Sequence, residues 1–310
     1  MKARVFILTL LTMIAFASNS LLCRAALRQT SIDPASFTFV RIFSGAVALW
    51  LILQSRGKLI VDRPAPPLVD SSSDSPPVTR HPSRADGNWT SAVALVVYAA
   101  GFSFAYVNLS AGTGALLLFG AVQATMILWG FHKGERLDPI QVAGLLVAMI
   151  GLVVLLLPGI SAPPLIGSLF MLAAGVAWGV YSLRGKNAAN AIASTTGNFS
   201  RAVPFAALIS LVMLPKMQLD SLGVTYAIIS GAITSGLGYV IWYAALTGLK
   251  ATSAATVQLS VPVLAATGGI LLLHEPITLR YLIASVAVLG GILLVVIEKR
   301  RTSSGIEDQQ

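Results

Sequence analysis

The chain is poor in the residues that carry most protein chemistry. It has one cysteine, Cys23, which excludes a disulfide framework within a single chain. Its three histidines, His81, His132 and His274, fall between apolar runs. An intramembrane metal site or a Ser-His dyad therefore has no imidazole to use, although Gly101-Phe102-Ser103 superficially invites one. No phosphate-cradling Gly-Lys motif occurs, which argues against an ATPase. Asp, Glu, Lys and Arg together make up 11% of the 310 residues, too little for the surface of a soluble domain of this length. No enzyme constellation emerges, and no cofactor or metal is expected.

What is present is apolar. Hydrophobic residues make up 55% of the chain, and the mean hydropathy is +0.80. These values describe an all-α polytopic membrane protein whose obligatory partner is the lipid bilayer. The net charge of +9 suggests nucleic acid at first sight. The Lys and Arg residues lie between apolar runs, where a membrane topology needs them, so no nucleic-acid partner is expected.

Ten spans are read at 5–23, 35–54, 90–109, 113–131, 139–157, 165–184, 196–214, 222–247, 252–273 and 279–297. Each is close to the roughly 20 residues that carry a helix across about 30 Å of hydrocarbon. The first has a rival reading as a signal peptide, since Lys2 and Arg4 precede it and Ala15-Phe16-Ala17 resembles a cleavage site. Its removal would leave the first half one helix short. The eighth run is longer than needed and is expected to tilt or to project from the hydrocarbon. Residues 62–87, rich in Pro, Ser and Asp, are expected to form a disordered cytoplasmic loop.

The runs repeat. Leu249–Val295 is two apolar stretches joined by His274-Glu275-Pro276-Ile277-Thr278, and an ungapped shift places Leu249 on Leu109 and Glu275 on Glu135. Phe199-Ser200-Arg201 likewise pairs with Phe39-Val40-Arg41. The chain thus divides into five-helix halves, 1–157 and 163–298, with a tail at 299–310. A cytoplasmic N-terminus puts the basic clusters at 56–63, 80–84, 133–136, 184–186 and 299–301 inside, and only Arg24, Arg28, Lys216 and Arg280 outside. Both termini are then cytoplasmic. An odd number of spans per half makes the halves inverted repeats, the layout of alternating access.

Two five-span units resemble the EamA domains of the drug/metabolite transporter superfamily. So do Ser18-Asn19, Phe39-Val40-Arg41, Trp178-Gly179-Val180-Tyr181, Trp242-Tyr243-Ala244-Ala245-Leu246 and the paired Gly-Glu-Arg-Leu and His-Glu-Pro-Ile hinges. The resemblance implies a ten-helix metabolite exporter or exchanger with a central cavity, in the inner membrane of a bacterial source. Similar proteins often carry a proline midway along both hairpin-opening spans. Pro262 fits that pattern, whereas span four has Val122-Gln123.

Polar residues inside spans are the site candidates, because hydrocarbon penalises them. Asn19, Gln123, Trp178, Tyr181, Trp242 and Gln258 are assigned to substrate binding. Arg41, Arg201, Pro262, Glu135 and Glu275 are assigned to gating or hinging. Pro262 frees the carbonyl of Gln258 and should bend span nine. Arg41 and Arg201 are either repeated helix-end anchors or a gate or anion-binding pair. Glu135 and Glu275 are chiefly loop charges, with a gate role as the alternative. The aromatic stripes Tyr98-Phe102-Tyr106 and Tyr239-Trp242-Tyr243 are read as packing or interfacial belt. No Asp or Glu falls within a span, which mildly favours facilitated transport or exchange over proton coupling. The expected cargo is a small organic metabolite such as an amino acid. A phosphorylated-sugar or nucleotide-sugar antiporter and a non-transporting structural membrane protein are the alternatives.

Overall fold

The computed structural model describes residues 3–61, 86–134, 138–157, 159, 162–185, 190–246 and 257–307. Its helices are α1 (Ala3–Gln29), α2 (Pro34–Val61), α3 (Trp89–Tyr106), α4 (Ala111–His132), α5 (Pro139–Leu156), α6 (Leu165–Gly185) and α7 (Ala191–Val212). After a short turn come α8 (Ser221–Ile228), a π-helical segment (Ile229–Leu237), α9 (Gly238–Leu246), α10 (Ser260–Leu273) and α11 (Leu279–Glu307). No strand occurs among the described residues.

Among the described residues, seven helices are long and apolar enough to cross a membrane: α1 to α6, and the composite that runs through α8 and the π segment to Trp242. Ser260–Leu273 and Leu279–Leu294 are shorter apolar helices. Large aliphatic side chains cover the outside, with Val286, Leu279 and Ile166 more than 70% exposed. An apolar belt of that extent is stable only against lipid.

Helix starts follow local chemistry. The side chains of Asn88, Ser110, Asn190 and Asp220 accept from backbone N–H groups in the first turns of α3, α4, α7 and α8. At α5, Pro139 follows Asp138 and the Gln141 side chain accepts from the Asp138 N–H. His274 closes α10 in the left-handed region, with φ of 52°. Close packing relies on absent side chains. A Cβ at Gly151 would lie 2.8 Å from that of Ala287, and one at Gly291 would strike the α5 backbone. A Cβ at the neighbouring Gly290 would meet nothing within 4 Å, so Gly291 alone of the two makes a close helix approach.

The principal packing partners are α2 with α7, α4 with α10, and α5 with α11. α3 packs on α6, and α1 on the α8–α9 composite. α4 packs on α6, and α1 on α10. α3 packs on α7, and α2 on the π segment.

Several expectations need correction. α1 continues to Gln29, so Arg24 and Arg28 belong to a helix and not to a loop. The long eighth run takes up residues in π turns. In span nine Val257 and Gln258 are helical, Leu259 is a turn and α10 begins at Ser260, so the helix pattern is interrupted three residues before Pro262. Pro262 therefore sits in a first helical turn, where its missing N–H costs little. α11 stays helical to Glu307, through most of the stretch expected as a tail. Residues 62–85, most of the expected disordered loop, and Glu135 lie outside the described residues.

Candidate functional site

The polar residues of the interior meet at one place. Asn19 of α1 donates from its amide nitrogen to the Tyr98 hydroxyl of α3 at 3.3 Å. Its amide oxygen accepts from Ser230 at 2.6 Å and from Thr234 at 3.2 Å, both on the π segment. Arg41 of α2 donates to the same Tyr98 hydroxyl at 3.0 Å and to Ser235 at 3.4 Å. Asn19, Arg41, Tyr98 and these three hydroxyl residues are all buried. Hydrogen bonds in such a low-dielectric interior are strong, and one donor of this network, the Arg41 Nη1, has no hydrogen-bond partner.

The π segment makes the arrangement possible. Its sequence, ISGAITSGL, offers hydroxyls and small residues. The wider turn presents Ser230, Thr234 and Ser235 together, and π turns frequently mark functional sites. Gly231 lets the segment lie directly on α2, since a Cβ there would meet the Arg41 carbonyl and the Ser44 hydroxyl.

Aromatic rings wall the network. Trp178 lies 4.7 Å from Tyr98 and 5.1 Å from Tyr239 between ring centroids. Phe16 packs edge-on against Tyr239 and Trp242. The guanidinium of Arg41 sits over the rings of Tyr98 and Phe102, at 5.2 and 4.8 Å. The cavity lined by Phe16, Asn19, Tyr98, Trp178, Thr234, Ser235 and Tyr239 is about 20 Å³, room for about one water. The site is closed around its own side chains.

A second feature lies two turns further along α3, about 12 Å from Tyr98 by helical rise. Glu275, in the α10–α11 hinge, accepts from the Arg24 Nε at 2.9 Å and from the Ala111 N–H at 2.8 Å. Arg24 also donates to the carbonyls of Tyr106 and Val107 at 2.9 Å. The carboxylate thus meets the positive end of α4 and the guanidinium meets the negative end of α3, so each charge sits where a helix dipole favours it. This latch fastens α1 to the hinge between α10 and α11. Glu275 also lines a cavity of about 190 Å³ shared with the α3–α4 turn, Pro163, Pro164 and Tyr281. Between latch and network lie Cys23, Phe102 and Tyr106, all essentially without solvent exposure.

The candidates divide accordingly. Asn19, Trp178 and Arg41 converge, while Tyr181 stacks on Trp178 at 5.5 Å and Trp242 reaches the wall through Phe16. Gln123 is buried on α4 but makes no hydrogen bond to the network, and Gln258 does not line the central cavity. Arg41 and Arg201 are not a matched pair. Arg201 is half-buried, donates to the Gly197 carbonyl at 3.1 Å and lies over Trp89, near the start of α3. Glu275, read chiefly as a loop charge, is buried and paired. Tyr98 and Tyr239, read as packing, face the site. Ser230, Thr234, Ser235 and Arg24 carried no signal beyond their polarity within or beside an apolar run.

Residues 165–297 match the model of the EamA-like transporter family. An uncharacterized protein of Pseudomonas aeruginosa is 53% identical over 292 residues, 94% of each chain. The chain belongs to the EamA-like transporter family. With its apolar helices, membership makes it an integral membrane transporter. An uncharacterized transporter of Archaeoglobus fulgidus is 23% identical over 95% of this chain and 98% of its own. A solved crystal structure shares the fold, with a TM-score of 0.61 at 18% identity over 97% of this chain and 99% of that one. For this EamA-like chain the match falls on α6 to α11, the half that supplies Trp178, the π segment, Tyr239 and Glu275.

Proposed function

We propose that this protein is a secondary transporter that exports or exchanges a small organic metabolite, such as an amino acid, by alternating access. The observation that carries the reading is the buried network itself. Asn19, Arg41 and Tyr98 come from the first half of the chain, and Trp178, Ser230, Thr234, Ser235 and Tyr239 from the second. Polar groups are costly at depth and collect where a substrate passes. Helix packing supports two inverted halves, taking α8, the π segment and α9 as a single span. Exchanging each span for the one five positions away turns the principal packing pairs into one another, as a twofold relation requires.

In this reading the closed network is an intermediate between two open states. The Arg24–Glu275 latch is the gate on the outer face, with Pro262 and the break at Leu259 as the hinge of the helix it holds. The membrane is the inner membrane of a bacterium, with both termini in the cytoplasm. The phosphorylated-sugar alternative is disfavoured, because Arg201, midway along α7, turns to the Gly197 carbonyl and to Trp89 at the start of α3, away from the network that holds Arg41.

Counterflow by the purified protein in liposomes, against a panel of labelled amino acids and related metabolites, tests the proposal. Saturable uptake abolished by Asn19→Leu is the expected result. Absence of flux for every compound, with the protein folded and inserted, would defeat it.

A further inference from the structure

Arg41 is the outlier of the interior. It lies about 10 Å into α2 by helical rise, is 2% exposed, and ranks first by volume among the fully buried side chains. Ion pairs among the described residues are Arg24–Glu275 and Arg28–Glu275, and Arg41 belongs to neither. Its Nε and Nη2 reach neutral hydroxyls, and its Nη1 has no hydrogen-bond partner. Neutral hydroxyls and aromatic faces offset only part of the desolvation cost of a buried guanidinium, and charges kept at such depth mark substrate and ion pathways.

We propose that Arg41 binds the carboxylate of the transported molecule, and that the substrates are small monocarboxylates with an apolar or aromatic body. The inference rests on the transporter reading above and gives its site a ligand class. Three features select that class. The planar fork of Arg matches a carboxylate through two parallel N–H bonds, and Nη1 is an unused donor of that fork. The network holds a single guanidinium, which balances one negative charge and not the two of a phosphate monoester. The neighbouring wall is aromatic: Phe16, Tyr98, Phe102, Trp178 and Tyr239 line the cavity. Since about 20 Å³ holds no metabolite, binding accompanies separation of these helices. The anion then completes the partners of Arg41.

The test compares acids with their amides, which lack the carboxylate charge, on the purified full chain. Benzoate, phenylacetate and L-phenylalanine are set against benzamide, phenylacetamide and L-phenylalaninamide, with phenyl phosphate as the dianion. Melting temperature and the emission of Trp178, corrected with a Trp178→Phe control, are the readouts. At least one acid is expected to raise the melting temperature and shift the emission, while its amide does neither. Arg41→Met should weaken that acid by about 10- to 100-fold, the worth of a charge-assisted pair. Without ligand it should be at least as stable as the parent, since it removes an unpaired buried charge. Arg41→Lys should retain part of the response, and it serves should the Met variant fail to fold.

Amides binding as well as acids, no acid binding, phenyl phosphate binding more tightly than every acid, or unchanged acid affinity in both Arg41 variants would each overturn the inference. Counterflow separates it from the reading beneath it. Flux of neutral or cationic metabolites without acid binding removes the carboxylate site and leaves the transporter. Acid binding without flux of any acid leaves the site and removes transport.

Discussion

Glu275→Gln isolates the charge of the latch while nearly preserving its shape. The Glu275 and Arg24 side chains are only 5% and 11% exposed, so solvent screens their attraction little. Removing one partner of a buried pair costs about 3–5 kcal/mol, because the other charge is left uncompensated. Here Arg24 keeps the Tyr106 and Val107 carbonyls, and a glutamine oxygen still accepts from Ala111. Those retained bonds lower the expected loss to about 2–3 kcal/mol. Arg24→Met combined with Glu275→Gln removes both charges and should recover much of it, giving a coupling energy above about 1 kcal/mol. Arg28→Ala is the internal control. Its nitrogen is 3.8 Å from Glu275 and its side chain 45% exposed, so it should change stability by less than about 1 kcal/mol.

A gate must also alter access. If the latch forms only while that face is closed, a loss of 2 kcal/mol shifts the closed-to-open ratio by about 30-fold. Cys23 is the natural reporter, being the chain's single cysteine, fully buried and next to Arg24. Maleimide labelling of Cys23 in Glu275→Gln, in liposomes of known orientation, should accelerate from the hinge side alone. Unchanged stability with unchanged labelling would refute both the energetic reasoning and the gate. Lost stability without faster labelling would leave a purely structural clamp.

Gly231→Val should destabilise by about 1–3 kcal/mol, because its side chain has nowhere to go against the α2 backbone; thermal melting in detergent measures it. Arg201→Gln should leave counterflow nearly intact and cost no more than about 1 kcal/mol, since its polar partners are the Asp86 and Gly197 carbonyls, apart from the network; loss of flux would return it to the site. Tyr98→Phe removes the hydroxyl on which Asn19 and Arg41 converge, and should lower flux at least tenfold while costing about 1–3 kcal/mol in thermal stability. Gln123→Leu should preserve flux to within a few-fold, as Gln123 bonds to none of the network.

What could be read from the chain alone followed from the energetics of transfer. Hydrocarbon demands runs of fixed length, so α1 to α7, the composite eighth run and the final hairpin could be located from hydropathy and breakers. Asn19, Arg41 and Trp178 stood out because buried polar and amphipathic groups are costly in lipid. Tyr98, Ser230, Thr234 and Ser235 did not, because hydroxyls bond to their own helix backbone as readily as to a neighbour. Arg24 was assigned to a loop by its charge, whereas dipole ends and Glu275 hold it within α1. Arg41 and Arg201 share a Phe-x-Arg motif, yet one faces the interior network and the other Trp89 at the start of α3.

The amino-acid order by itself determined that the chain is helical and membrane-embedded, since those properties depend on composition and run length. Tertiary packing alone decided which buried donors share one acceptor, that a hinge carboxylate is half of an ion pair, and that one guanidinium is left without an anion. Those outcomes rest on the rotation of each helix about its axis and on a π turn that re-phases the side chains beyond it. Neither is set by hydropathy.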